Sequence, residues 1–137
     1  MKKILLILLL LLIPLFAETT IYTEGRHYST VDEDGNLLTD GNRLIEDRSK
    51  FTFDDDCTMF VHNTNTGTVR ESTYWITPGT IELLDNGFIC SATSDVGNKY
   101  QYIITDKLVI IILETYDDES SDIVSFNVKN VIKDNDE

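Results

Sequence analysis

The sequence predicts an all-β protein, a small antiparallel β-barrel or β-sandwich of about eight strands, and three observations carry that expectation. Turn-forming clusters recur at short spacing: Asp34-Gly35-Asn36, Asp40-Gly41-Asn42, Asp54-Asp55-Asp56, Asn65-Thr66-Gly67, Asp85-Asn86-Gly87 and Gly97-Asn98. Each holds residues that tolerate positive φ or cap a turn with a side-chain oxygen. The runs between them are short and rich in Thr, Tyr, Phe, Ile and Val, which suit a pleated, half-buried surface. No stretch carries a helical period of useful length. The best helix candidate, Arg43 to Arg48, is only about a turn and a half long.

The first 17 residues, MKKILLILLLLLIPLFA, stand apart from that pattern. Lys2 and Lys3 give a positive start, Ile4 to Ile13 form an unbroken apolar run, and Pro14 breaks it before the small Ala17. That order is what a cleavable secretory signal needs, and the run is shorter than the roughly 20 residues of a bilayer span. The predicted organisation is therefore a signal peptide over 1–17, one β domain over 18–132 and a polar tail over 133–137, in a protein that is secreted or periplasmic. The remaining chain of about 120 residues suits a single domain.

Strands are predicted in order at Tyr28–Val31, around Phe51 and Phe53, from Cys57 through Met59 and Val61, and at Val69–Thr77 and Thr80–Leu84. Further strands follow around Phe88, Cys90 and Ala92, and at Tyr100–Thr105, Lys107–Tyr116 and Ile123–Val131. Alternation assigns inward rows to Phe51 and Phe53, to Cys57, Met59 and Val61, to Phe88, Cys90 and Ala92, and to Val124, Phe126 and Val128. Asn86-Gly87 is the strongest hairpin signal in the chain. The run Leu108 to Leu113 is apolar at every position, so both its faces are expected to be covered. A second layer of the same chain or a homodimer contact through Leu108 to Leu113 would do this.

Cys57 and Cys90 are the only cysteines. In an oxidising compartment an even pair predicts one disulfide, here closing a loop of about 34 residues worth about 3.8 kcal/mol in the chain-entropy treatment.

Acidic residues number 24 against 11 basic ones, and losing Lys2 and Lys3 takes the net charge from −13 to near −15. Such a field repels nucleic acid and anionic membranes and attracts cations or basic proteins. The catalytic and metal-binding signals are missing. Around Gly35 an EF-hand register would begin at Thr30 and end at Gly41, so both ends lack their carboxylates. Asp54, Asp55 and Asp56 read as a solvated turn. His27 and His62 are too few for zinc, and His62 is expected beside a loop. There is no G-x-S-x-G elbow and no phosphate-binding glycine loop. No catalytic residue, metal site or cofactor is assigned.

The aromatic residues are what remains. Tyr100, Tyr102 and Ile104 share a face, and with Tyr74 and Trp75 they form the expected wall of a pocket or contact surface. The layout is similar to that of small secreted barrels of the lipocalin-like kind. Where that family carries glycine-x-tryptophan near its first strand this chain has Gly25-Arg26-His27, and the family is not assigned. In charge and compartment the chain also resembles small acidic periplasmic inhibitors of basic wall-degrading enzymes, without a shared motif. The expected function is binding of a small apolar ligand or a partner, with no chemistry performed. The alternative is an acidic inhibitor or interaction module directed at a basic protein.

Overall fold

The structure, a computed structural model, describes residues 18–38 and 43–133. The leader expected over 1–17 and the turn expected at Asp40-Gly41-Asn42 lie outside the described residues, as do residues 134–137 of the expected tail. Lys133 itself closes the last strand rather than opening a tail.

Ten strands form one antiparallel sheet. They are β1 (Thr19–Val31), β2 (Arg43–Ile45), β3 (Lys50–Phe53), β4 (Met59–Asn65), β5 (Val69–Ile76), β6 (Glu82–Leu84), β7 (Gly87–Ser94), β8 (Lys99–Thr105), β9 (Leu108–Thr115) and β10 (Ser121–Lys133). The pairing order is β10-β9-β8-β7-β5-β4-β3-β1-β2, with β6 paired to β7 alone. β1 also pairs with β10, from Thr19↔Lys133 to Val31↔Ser121, which rolls the sheet back on itself. The all-β antiparallel expectation therefore holds, with more strands than expected. Among the described residues no helix is long and apolar enough to cross a membrane.

β10 occupies one edge of β1, so β2 and β3 share the other. β3 pairs with Thr19 to Tyr22 and β2 with Arg26 to Tyr28, and the ladder lapses between them at Glu46–Ser49. The helix candidate at Arg43–Arg48 is thus a short strand followed by irregular backbone. Its apolar residues answer to β1 rather than to a helical period. β2 has no second strand partner among the described residues, so the wall is interrupted between β2 and β4.

Aromatic rings from β3, β4, β5 and β8 pack together on the inner face of the sheet. Phe60 lies 4.9 Å from Phe53, 5.0 Å from Tyr102 and 5.1 Å from Tyr74, measured between ring centroids. The inward rows read for β3, β7 and β10 are the buried ones, Phe51 and Phe53, Phe88, Cys90 and Ala92, Val124 and Phe126, and Tyr102 and Ile104, read as sharing a face of β8, are buried with them. Val128 and Tyr100 pack partly buried against them.

Three expectations need correction. On β4 the inward row is Phe60 and His62, while Met59 and Val61 are half-buried on the other face. Cys57 is buried but stands before the strand, in a left-handed conformation (φ 54°) within the turn that Asp54 organises by accepting from the Thr58 and Met59 amides. That turn inverts the parity. The disulfide is not formed: Cys57 and Cys90 are both free buried thiols. Burial pushes each thiol up to about 12, aided by Asp54 at Cys57 and by Cys57 at Cys90, so both stay protonated. Finally, the hairpin loop before β7 is Asp85-Asn86, because Leu84 already pairs with Gly87.

Candidate functional site

The site begins with a β-bulge. On β1 the buried row is Thr19, Ile21 and Thr23, at odd positions. Against β10 the register skips Gly25 (φ 77°) between Glu24 and Arg26, which moves the inward row of β1 to even positions, while the shift at Tyr22/Thr23 puts its extra residue, Lys129, on β10. One extra residue in a strand exchanges its two faces, so Arg26 and Tyr28 point inside and His27 does not. The Gly25 amide is tied to the Asp47 carbonyl at 2.9 Å.

Arg26 then meets a buried polar cluster. Its Nε donates to Asp47 Oδ2 at 2.7 Å, and a second guanidinium nitrogen lies 2.5 Å from the same oxygen. Nη1 donates to the Tyr28 hydroxyl at 3.0 Å, and the guanidinium carbon sits 5.2 Å from the Phe126 ring centroid. Asp47, 1% exposed, also accepts from Ser49 Oγ at 2.9 Å and from the Asn65 amide at 3.3 Å. Asp47 therefore stitches β1 to β4 across the gap in the ladder, together with the Arg48 amide donating to the Asn65 carbonyl at 3.1 Å.

His62 completes the cluster and is not beside a loop. It is 8% exposed, stacked on Phe51 at 4.1 Å, with Nε2 3.2 Å from Ser49 Oγ. Ser49 donates its single hydroxyl proton to Asp47, so His62 Nε2 carries the proton of the second bond and Nδ1 is left as the acceptor. Histidine, serine and aspartate are thus joined in an order unlike that of a nucleophilic triad, in which the imidazole takes the serine's proton. Here the imidazole donates to the serine, and the chain positions Arg26.

Burial first and the Arg26 guanidinium second hold the His62 imidazole down, to about 4, with Asp47 opposing. An unfolded histidine titrates near 6.5. Between these values the unfolded chain takes up a proton that the folded one does not. The neutral side chain's contribution is fully present above pH about 6.5, falls as the pH drops towards 4 and levels off below it. The total is about 3 kcal/mol. The fall in unfolding free energy from pH 7.5 to 4.5, read from urea titrations, should exceed that of His62→Phe by most of this amount. Equal pH dependence in the two proteins would show that His62 is not the group responsible.

Beside this cluster a cavity of about 420 Å³ opens at the end of the sheet where β4 finishes and β5 begins. Inward residues of β1, β4, β5, β8, β9 and β10 line it, among them Tyr28, Tyr74, Tyr100, Ile111, Leu113 and Phe126. Of the expected aromatic wall, the structure brings together Tyr74, Tyr100 and Tyr102. Tyr74 and Tyr102 meet edge to face at 5.7 Å, and Tyr102 lies fully buried just beneath, its hydroxyl without a hydrogen bond of good geometry and only a weak interaction with the Tyr74 phenol. Trp75 is not part of the wall. Adjacent residues on a strand face opposite ways, and Trp75 is outside and 49% exposed.

The Leu108–Leu113 run is two-faced as expected. Val109 and Ile111 are buried inside, while Leu108, Ile110 and Ile112 are half-buried outside. Outside, Ile110 and Ile112 share a groove with Ile103, Ile123 and the segment just after β1. Among the described residues no three His, Cys, Asp or Glu side chains converge as a metal site would need. A scan against family models finds no match, and searches of curated proteins and of solved structures return no similar protein.

Proposed function

We propose that this protein is a carrier working outside the cytoplasm, a rolled, barrel-like β domain that holds a small ligand in the cavity between β1, β4, β5, β8, β9 and β10 without transforming it. The observation that carries the reading is the cavity itself. Its volume of about 420 Å³ falls in the range of small-molecule sites, roughly 300–1,000 Å³. Its lining is half aromatic and aliphatic, with Tyr74, Tyr100, Ile111, Leu113 and Phe126 among those side chains, and half polar, with Arg26, His62 and Arg70 among those. The β1–β10 pairing supports the barrel-like wall, and Tyr74 and Phe126 join the cavity to the packed aromatic cluster.

The test is saturable binding of an uncharged apolar dye, N-phenyl-1-naphthylamine, followed by fluorescence. Ser72 is half-buried in the cavity wall, so Ser72→Phe should fill the space. The native protein is expected to bind the dye one to one, and Ser72→Phe to weaken binding at least tenfold with unchanged melting. Absence of saturable binding, or binding indifferent to Ser72→Phe, would overturn the carrier reading.

A further inference from the structure

The charge inside the cavity runs against the charge of the chain. Acidic residues outnumber basic ones by 24 to 11, yet the cavity lining contains two arginines, Arg26 and Arg70, and no aspartate or glutamate. The two arginines differ in kind. Arg26 is answered by the buried carboxylate of Asp47 and adds no net charge. Arg70 makes no hydrogen bond or ion pair among the described residues.

Its position follows from strand parity. Tyr74 faces inward against Phe60, so Ser72 and Arg70 face the same way along β5. Arg70 is thereby the outermost member of the row, opposite Thr64 on β4 and beside Thr66 and Thr68 at the cavity mouth. Among the described residues no carboxylate lines the cavity with it. Glu71 alternates to the outer face, and Asp122 is engaged by the Thr30 hydroxyl at 2.7 Å and by the Tyr116 hydroxyl at 2.5 Å. Away from Arg70 the lining sets Tyr74, Tyr100, Ile111 and Leu113 beside Arg26, His62 and Ser72.

An uncompensated guanidinium at the mouth, hydroxyls around it and an apolar wall of Tyr74, Tyr100, Ile111 and Leu113 in the same cavity describe one class of ligand. We propose that the cavity takes an amphipathic carboxylate, its hydrocarbon or aromatic body against Tyr74, Tyr100, Ile111 and Leu113 and its carboxylate on Arg70. This rests on the carrier reading above and adds the sign and place of the ligand's charge. Guanidinium and carboxylate match as planar forks, giving two parallel charge-assisted bonds. The threonine hydroxyls of residues 64, 66 and 68 are the further donors around the carboxylate.

Matched chains separate the claims. Decanoate and decanol, both below their aggregation limits, would be titrated at pH 8 into the native protein and into Arg70→Gln by calorimetry. The native protein is expected to bind decanoate at least tenfold more tightly than decanol, and Arg70→Gln to abolish that preference. Equal affinity of the native protein for the two, or a preference for decanoate that survives Arg70→Gln, overturns the anion assignment and leaves the carrier reading standing. If neither compound binds and the naphthylamine dye does not either, both fall together.

Discussion

Replacing Gly87 with alanine is expected to cost about 3 kcal/mol or more, the high end for overpacking, whereas Asn86→Ala should cost under about 1 kcal/mol. The usual account of an Asn-Gly pair between strands gives the opposite balance. In a type I′ turn both residues need positive φ, and each substitution would carry a similar strain of about 1–2 kcal/mol. Here neither residue has positive φ. Gly87 is already the first residue of β7, paired with Thr105, and β8 passes so close that a Cβ there would stand 1.8 Å from the Ile104 carbonyl oxygen and 2.9 Å from the Thr105 Cα. Backbone atoms cannot rotate aside as a side chain can, so β7 and β8 would have to separate. Phe88, Cys90 and Ala92 hang from that pairing. Chemical denaturation of the two variants decides the matter, and similar losses in both would restore the ordinary turn explanation.

Gly87 shows what the sequence conveyed and what it withheld. That a turn and an inward row lay near Asn86-Gly87 was legible, because turn chemistry and period-2 alternation are local. The same local signals located Phe51 and Phe53, Tyr102 and Ile104, and Val124 and Phe126. Parity across an irregularity was not legible. The Asp54–Thr58 turn, with Cys57 left-handed, exchanged the faces of β4, and the Gly25 bulge exchanged those of β1. The first reversed the row read at Cys57, Met59 and Val61 and hid Phe60 and His62, while the second puts Arg26 and Tyr28 out of step with Thr19, Ile21 and Thr23. Grouping Trp75 with Tyr74 failed on alternation alone. The Arg26–Asp47–Ser49–His62 cluster had no local signal, since its members come from β1, the irregular Glu46–Ser49 segment and β4.

The second large effect follows from that cluster. Asp47→Ala should destabilise the fold by about 3–5 kcal/mol, the loss found when one partner of a buried ion pair is removed. Two separate causes converge at this carboxylate. It neutralises Arg26, whose side chain is only 17% exposed and loses its partner inside the protein. It also supplies the acceptors for the Ser49 hydroxyl and the Asn65 amide where β2 has no strand beyond it, so those donors would be stranded where the ladder is already broken. The two causes can be weighed against each other. Removing the charge on both sides, in Arg26→Met with Asp47→Ala, takes away the uncompensated cation but still leaves the donors unsatisfied. The double variant should therefore recover part of the stability lost in Asp47→Ala and fall short of the native protein. Full recovery would mean that the stitch across the gap contributes nothing. Simple additivity of the two single variants would mean that the pair is not coupled, and the polar cluster would then lose its claim to hold Arg26 in the cavity wall.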